Sequence, residues 1–223
     1  MLAVTSYTTL LAAVESLAED VGTELSDYLP VAIDNAENRL SRELDFLGTD
    51  YISSNISLTA GSSTIAKPTG HKVTYFIKTV VPSTGVEAIL ERKQDDYLIE
   101  YYAGSTTQGT PKYYSDKDET SFRVVPPTSQ TLTVVVHGVK RPTALSTGNE
   151  TNAYTRLCPD VLLYATMLEI ALWQRNDAMY AKYEPVYNNL RDGINNEGRR
   201  QRRDNGSPAG NPESGRNTLL NGQ

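Results

Sequence analysis

Apolar residues recur at three- and four-residue steps near the start of the chain, at shorter alternating intervals through the middle, and almost without interruption in one stretch towards the end. Leu10, Leu11, Val14, Leu17 and Val21 line one face of a first helix. Gly22 interrupts that pattern. Ser26 is then placed to cap a second helix by accepting from its open N–H groups, and Pro30 falls near the first turn, where a missing N–H costs little. Leu29, Ile33, Ala36, Leu40, Leu44 and Leu47 make a long stripe, with Gly48 positioned to end it in the left-handed conformation. Asp27, Asp34 and Asp45 occupy another face, so this helix has one side for a core and one acidic side.

Between 51 and 145 the pattern shortens. Alternating or β-branched runs at 51–58, 72–81, 86–91, 122–125 and 131–139 predict strands, punctuated by Gly61-Ser62-Ser63, Pro68-Thr69-Gly70 and Pro126-Pro127. Residues 95–102 predict a short helix with Leu98 and Tyr101 or Tyr102 inward. Together they read as a small, mostly antiparallel β-module.

Helix returns over 150–198. Pro159 and Asp160 suit a first turn, the acid by complementing the helix dipole. From Val161 to Trp173 nearly every residue is apolar, Thr166 and Glu169 excepted. A helix apolar all round must be covered on several sides. Self-association through Leu162, Tyr164, Leu168, Leu172 and Trp173 is one way to cover it. After Arg175 only a narrow stripe of Tyr180, Tyr183, Tyr187, Leu190 and Ile194 continues, and Pro185 is expected to kink or restart the helix. The last stretch, 199–223, has only Ala209, Leu219 and Leu220 as apolar content and cannot build a core. The fold class expected is α+β. A helical bundle (1–50 and 150–198; two N-terminal helices plus a long C-terminal helix) carries an inserted small antiparallel β-module (51–149) and an extended basic C-terminal tail (199–223).

Charge changes the picture because it is segregated. The chain of 223 residues carries a net charge of -6, yet ten acids face only Arg39 and Arg42 in the first fifty positions, a local net of -8. The last 25 residues carry Arg199, Arg200, Arg202, Arg203 and Arg216 against Asp204 and Glu213, a local net of +3. An acidic head and a basic tail on one chain point to separate jobs, one copy reaching for another among them. The net acidity argues against a protein wrapped around a nucleic-acid backbone. No run of apolar residues is long enough for a membrane span, and no basic segment followed by an apolar one marks a secretion signal.

Candidate chemistry is sparse. One cysteine, Cys158, excludes a disulfide within the chain and a cysteine-based zinc site. It precedes Pro159 at a helix start, where a thiol pKa is sometimes lowered, although a small buried filler is the plainer reading. His71 falls in a turn and His137 in a Val-rich strand. Asp95-Asp96 and Asp116, Asp118 and Glu119 lie in polar stretches and read as solvated acids. No glycine-rich loop has phosphate-binding spacing. The residues therefore predict neither an enzyme, nor a metal site, nor a cofactor. For the Arg199–Arg203 cluster, docking on an acidic protein surface through carboxylate pairs leads. Phosphate binding and a solvated helix end stand beside it.

Six short segments in this order resemble the head-to-tail adaptor (connector) proteins of short-tailed and related tailed bacteriophages. They are Ala36-Glu37-Asn38-Arg39-Leu40-Ser41-Arg42-Glu43-Leu44, Thr110-Pro111-Lys112-Tyr113-Tyr114-Ser115, Phe122-Arg123-Val124-Val125-Pro126-Pro127, Arg141-Pro142-Thr143-Ala144-Leu145-Ser146, Pro159-Asp160-Val161-Leu162-Leu163-Tyr164-Ala165 and Asn196-Glu197-Gly198-Arg199-Arg200. Cys158 departs from the pattern, standing where such proteins tend to carry an aromatic. The resemblance implies a structural protein of the virion neck, assembled in the host cytoplasm. It implies a ring, typically of twelve copies, docked beneath the phage portal protein, receiving tail nozzle or tail-fibre proteins and continuing the DNA channel. In that picture Arg199, Arg200, Arg202, Arg203, Arg216, Leu219 and Leu220 reach the portal, while Asp27, Asp34 and Asp45 face the lumen and keep viral DNA from sticking. Two other classes stand beside it: a nucleic-acid-binding accessory protein using the arginine cluster, and a small virion-associated hydrolase using His71 or His137.

Overall fold

A computed structural model describes residues 4–18, 22–102 and 107–206. The chain divides into two compact units, one from Met1–Gly48 with Ala144–Gln223 and one from Thr49–Thr143.

The first unit is helical. It holds α1 (Tyr7–Ala18), α2 (Thr23–Glu43), α4 (Ala153–Leu157), α5 (Pro159–Trp173) and α6 (Asp177–Gly206). The apolar α5 is its centre, and α1, α2, α4 and α6 all pack on it. Leu162, Leu163, Met167, Leu168 and Ile170 are sealed from solvent with Leu10, Leu29, Ile33 and Leu40. Each such side chain contributes roughly 1.5–3 kcal/mol of burial, so the chain itself supplies most of the cover that α5 needs.

Several local expectations are corrected. The residue before α2 is Gly22, and the Ser26 hydroxyl donates to the Gly22 carbonyl at 3.3 Å instead of capping the helix. Pro30 lies inside α2. α2 stops at Glu43, with Leu44 extended behind it, so Asp45 leaves the helix and Gly48 falls in a one-turn 3-10 helix, Leu47–Thr49. Pro185 does not restart the last helix. The break falls earlier, where Arg175 takes φ 53° and the Asn176 side chain accepts from the Met179 N–H at 3.0 Å. From there α6 runs through Pro185 and on past Gly198 to Gly206. Val21 and the Leu47 and Tyr101 side chains lie outside the described residues.

The second unit is an eight-stranded sheet with one helix, α3 (Asp95–Tyr102). Its strands are β1 (Asp50–Ile52), β2 (Ile56–Leu58), β3 (Thr64–Ala66), β4 (His71–Val80), β5 (Glu87–Arg92), β6 (Tyr113–Asp116), β7 (Ser121–Val125) and β8 (Leu132–Lys140). They follow the order β1-β8-β4-β5-β6-β7-β3, with β2 also on β8. All pairs are antiparallel except β5 with β6, which α3 joins by a crossover. The sheet curls until β2 and β3 approach each other. Its inner face buries Leu58, Ile77, Leu90, Val134 and Val136 against Ile65, Tyr114, Phe122 and Val124. Gly138 serves that curl, because a Cβ there would collide with the Val73 carbonyl beside a β4 bulge.

Candidate interaction surfaces

The charged residues of the 36–44 segment hold the helical unit together. Glu37 keeps only 1% of its surface exposed. Its carboxylate accepts from the Leu145 N–H at 3.0 Å and from the Asn152 side-chain amide. Asn152 in turn caps α4, its Oδ1 accepting from the Tyr154 and Thr155 N–H groups at 2.9 and 3.3 Å. Arg39 pairs with Glu169 of α5 at 2.6 Å. Glu43 accepts from the Tyr187 hydroxyl of α6 at 2.8 Å and from Arg191 at 3.3 Å. Three charges thus fasten α2 to the 144–152 segment, to α5 and to α6. The signal was in the sequence: Glu37 shares the inward register of Ile33, Leu40 and Leu44.

The end of α2 is finished by α6. The Asn195 side chain donates to the Glu43 carbonyl at 3.0 Å and accepts from the Asp45 N–H at 2.8 Å. Arg202 pairs with Asp45 at 2.5 Å. Gly198 is buried there because a Cβ would strike the Asp45 carbonyl. Beside this contact lies a groove of about 380 Å³ lined by Phe46, Gly48, Leu157, Ile194, Glu197 and Gly198, with Gln201 at its edge. Leu157 is 55% exposed.

At the other end of α5 an apolar patch is exposed. Trp173 stacks on Tyr28 of α2, centroids 4.8 Å apart and planes 10° apart. Trp173 is 38% exposed, its neighbour Leu172 is 54%, and Val31, one turn along α2 from Tyr28, is 50%. Of the five residues expected to meet another copy, Leu162 and Leu168 are buried within the chain, Tyr164 is half-buried against Tyr183, and Leu172 and Trp173 are exposed. The buried pair is corrected by α1, α2, α4 and α6, which close over α5.

Cys158, both histidines, Asp95 and Asp116 are held in other roles. Burial, with help from Asp160, pushes the Cys158 thiol up to about 12, the opposite of activation at a helix start. His71 opens β4, its Nδ1 2.7 Å from the Tyr51 hydroxyl and its Nε2 2.9 Å from the Thr74 hydroxyl. Burial and then Lys67 hold its pKa below the usual histidine value. His137 lies face to face with Phe76 at 4.2 Å, and burial and Lys78 lower it likewise. Asp95 is ion-paired with Arg123 at 2.8 Å, and Asp116 with Lys67 at 2.8 Å and Arg92 at 2.6 Å. They are structural acids, which corrects their reading as merely solvated. Their pKa values fall, Asp95 chiefly through the Arg123 bond, Asp116 because its two cations outweigh a burial effect that raises it.

Asp27 and Asp34 are exposed on α2, whereas Asp45 is engaged by Arg202. Arg199 and Arg200 are exposed on α6, on helix instead of in an extended tail. The Arg203 side chain, Arg216, Leu219 and Leu220 lie outside the described residues. What the arrangement offers is surfaces fastened to a rigid frame. The family model of the SU10 adaptor protein matches residues 5–212. The chain belongs to the SU10 adaptor protein family. This SU10-family adaptor is therefore a phage head-to-tail adaptor, of a structural family and not an enzyme family. The match takes in both units and all of α6. A comparison with curated proteins finds no match. No helix among the described residues is long and apolar enough to cross a membrane.

Proposed function

We propose that this adaptor works in the virion neck as a ring of identical copies between the phage portal protein and the tail components, with the viral DNA passing through its centre. The observation that carries the reading is the family match over nearly the whole chain. The structure supports it in kind: the titratable groups serve the frame, and exposed apolar and charged surfaces are left for partners. The chain beyond Gly206, with Arg216, Leu219 and Leu220, acts as an arm that finds the portal, and Arg199 and Arg200 stand at its base. On the tail side the partners are nozzle or fibre proteins. Removal of residues 207–223 tests the arm. The shortened adaptor keeps its circular dichroism and melting temperature but is no longer retained on immobilised portal. Undiminished retention refutes the arm.

The arginine cluster as a phosphate-binding patch is less well supported, because Arg202 is bound by Asp45 of the same chain.

A further inference from the structure

We propose that copies of this adaptor meet head to tail through opposite ends of the helical unit. The Tyr28–Trp173–Leu172 knob of one copy enters the Phe46–Leu157–Ile194–Gly198 groove of the next.

Four observations carry this. First, the two surfaces are apolar and unlike, one an exposed patch and the other a groove, as a heterologous contact requires. Second, they cannot meet within one chain. Leu157 precedes α5 and Trp173 ends it, and the 15 residues of that helix span about 22 Å. Third, the rims carry opposite charge. The knob is bordered by exposed Glu24, Asp27 and Asp34 of α2 and Asp177 of α6, the groove by exposed Arg156, Arg199 and Arg200. Each rim has exceptions: Arg175 beside the knob, and at the groove Glu197 and Asp45, the latter already paired with Arg202 of its own chain; Arg175 and Glu197 are complementary to each other. Fourth, Val31 stands half exposed within the Asp27–Asp34 stripe. An apolar residue amid those acids suits a face covered by protein better than one bathed by a water-filled channel, and this assignment takes Asp27 and Asp34 out of the channel lining. The basic end of one copy then meets the acidic end of the next, and a patch joined to an unlike patch closes into a ring when the rotation per copy permits. The proposal rests on the ring reading above and names its contact.

Cross-linking at introduced cysteines tests it in the full chain, since buried Cys158 stays silent towards maleimides. Leu172→Cys and Leu157→Cys are both at exposed positions, and Val186→Cys, exposed on the middle of α6, reports random collisions. With a short bismaleimide, a mixture of the two single variants gives a heterodimer several-fold above the Val186→Cys level, and its yield drops as salt is raised. The Leu157→Cys, Leu172→Cys double variant gives a ladder of linked copies. Homodimers from either single variant alone, or heterodimer no more abundant than the collision control, overturn the proposal. A ladder ending in one discrete closed species supports the ring as well. A ladder without an upper limit supports the contact while refuting the ring, so the two readings fail separately.

Discussion

Replacing Glu37 by alanine removes one carboxylate and strands two donors. The Leu145 N–H and the Asn152 amide both point at it inside the helical unit, and Glu37 is 1% exposed, so solvent does not take its place. A hydrogen bond to a charged acceptor is worth about 1.5–3 kcal/mol, and a stranded buried donor costs about 1–3 kcal/mol. Two such donors put the loss near 4 kcal/mol for Glu37→Ala. For a chain of this size each kcal/mol moves the midpoint by about 2–4 °C, so the helical unit melts roughly 8–16 °C lower. Glu37→Gln retains one acceptor and turns an amide towards the second donor, and loses about half as much. Scanning calorimetry or the helical ellipticity at rising temperature measures both. The decisive variant is Glu37→Leu. It fills the space and adds apolar contact but cannot remove the Leu145 N–H. A Glu37→Leu protein as stable as the wild type would show that Glu37 is not the clamp between α2 and the 144–152 segment.

Asn152→Asp retains the cap of α4 but sets a second carboxylate against Glu37. The variant is destabilised at pH 7 and gains stability as pH falls towards 5, because one of two facing carboxyls then takes up a proton; a melting series that falls with pH over that range refutes it. The wild-type β-unit behaves in the opposite sense and in two windows. His71 and His137 have folded pKa values below 6.5, so their contribution is complete above 6.5 and is lost as pH falls from there through the folded values, while that of Asp95 and Asp116, depressed below 3.8, is lost only in stronger acid. His71→Asn removes its share of the first window, read as a shallower slope of melting temperature against pH between 6.5 and 5. Gly198→Ala forces the 45–46 backbone away from α6 and lowers stability by about 1–3 kcal/mol by overpacking, measured by urea denaturation; a neutral result refutes the close approach.

The helices were legible in the sequence because their apolar spacing is long and regular. α3 falls on the expected residues, where Leu98 is fully buried. β3 and β6 were missed because each is only three or four residues long, and each takes pairing from a strand far along the chain, β3 from β7 and β6 from β5. The 51–58 run is two strands, since Ser53–Asn55 put three residues opposite two of β8 and so shift the register between β1 and β2. The cap readings failed at both ends of α2: the Ser26 hydroxyl bonds back to Gly22, and the C-terminal end is finished not at Gly48 but by Asn195, 150 residues away from Asp45. The same blindness to distant partners hid the roles of Asp95 and Asp116, whose cations sit on other strands. It also made α5 look uncovered, since hydropathy counts apolar faces but not how many helices will arrive to cover them. Leu172 and Trp173 escape that cover because they lie in the last turn of α5, beyond which the chain reverses.

The β-unit begins and ends on neighbouring strands. Asp50 of β1 sits opposite Val139 of β8, which puts the two points of entry and exit within about 4.5–5.5 Å of each other. A guest joined to its host through two adjacent ends imposes almost no span on the host when it is lengthened, shortened or exchanged. Selection, or an engineer, can therefore treat residues 49–143 as a replaceable cartridge. The helical unit keeps its own closure through Glu37, and a different cartridge would leave that frame as it is.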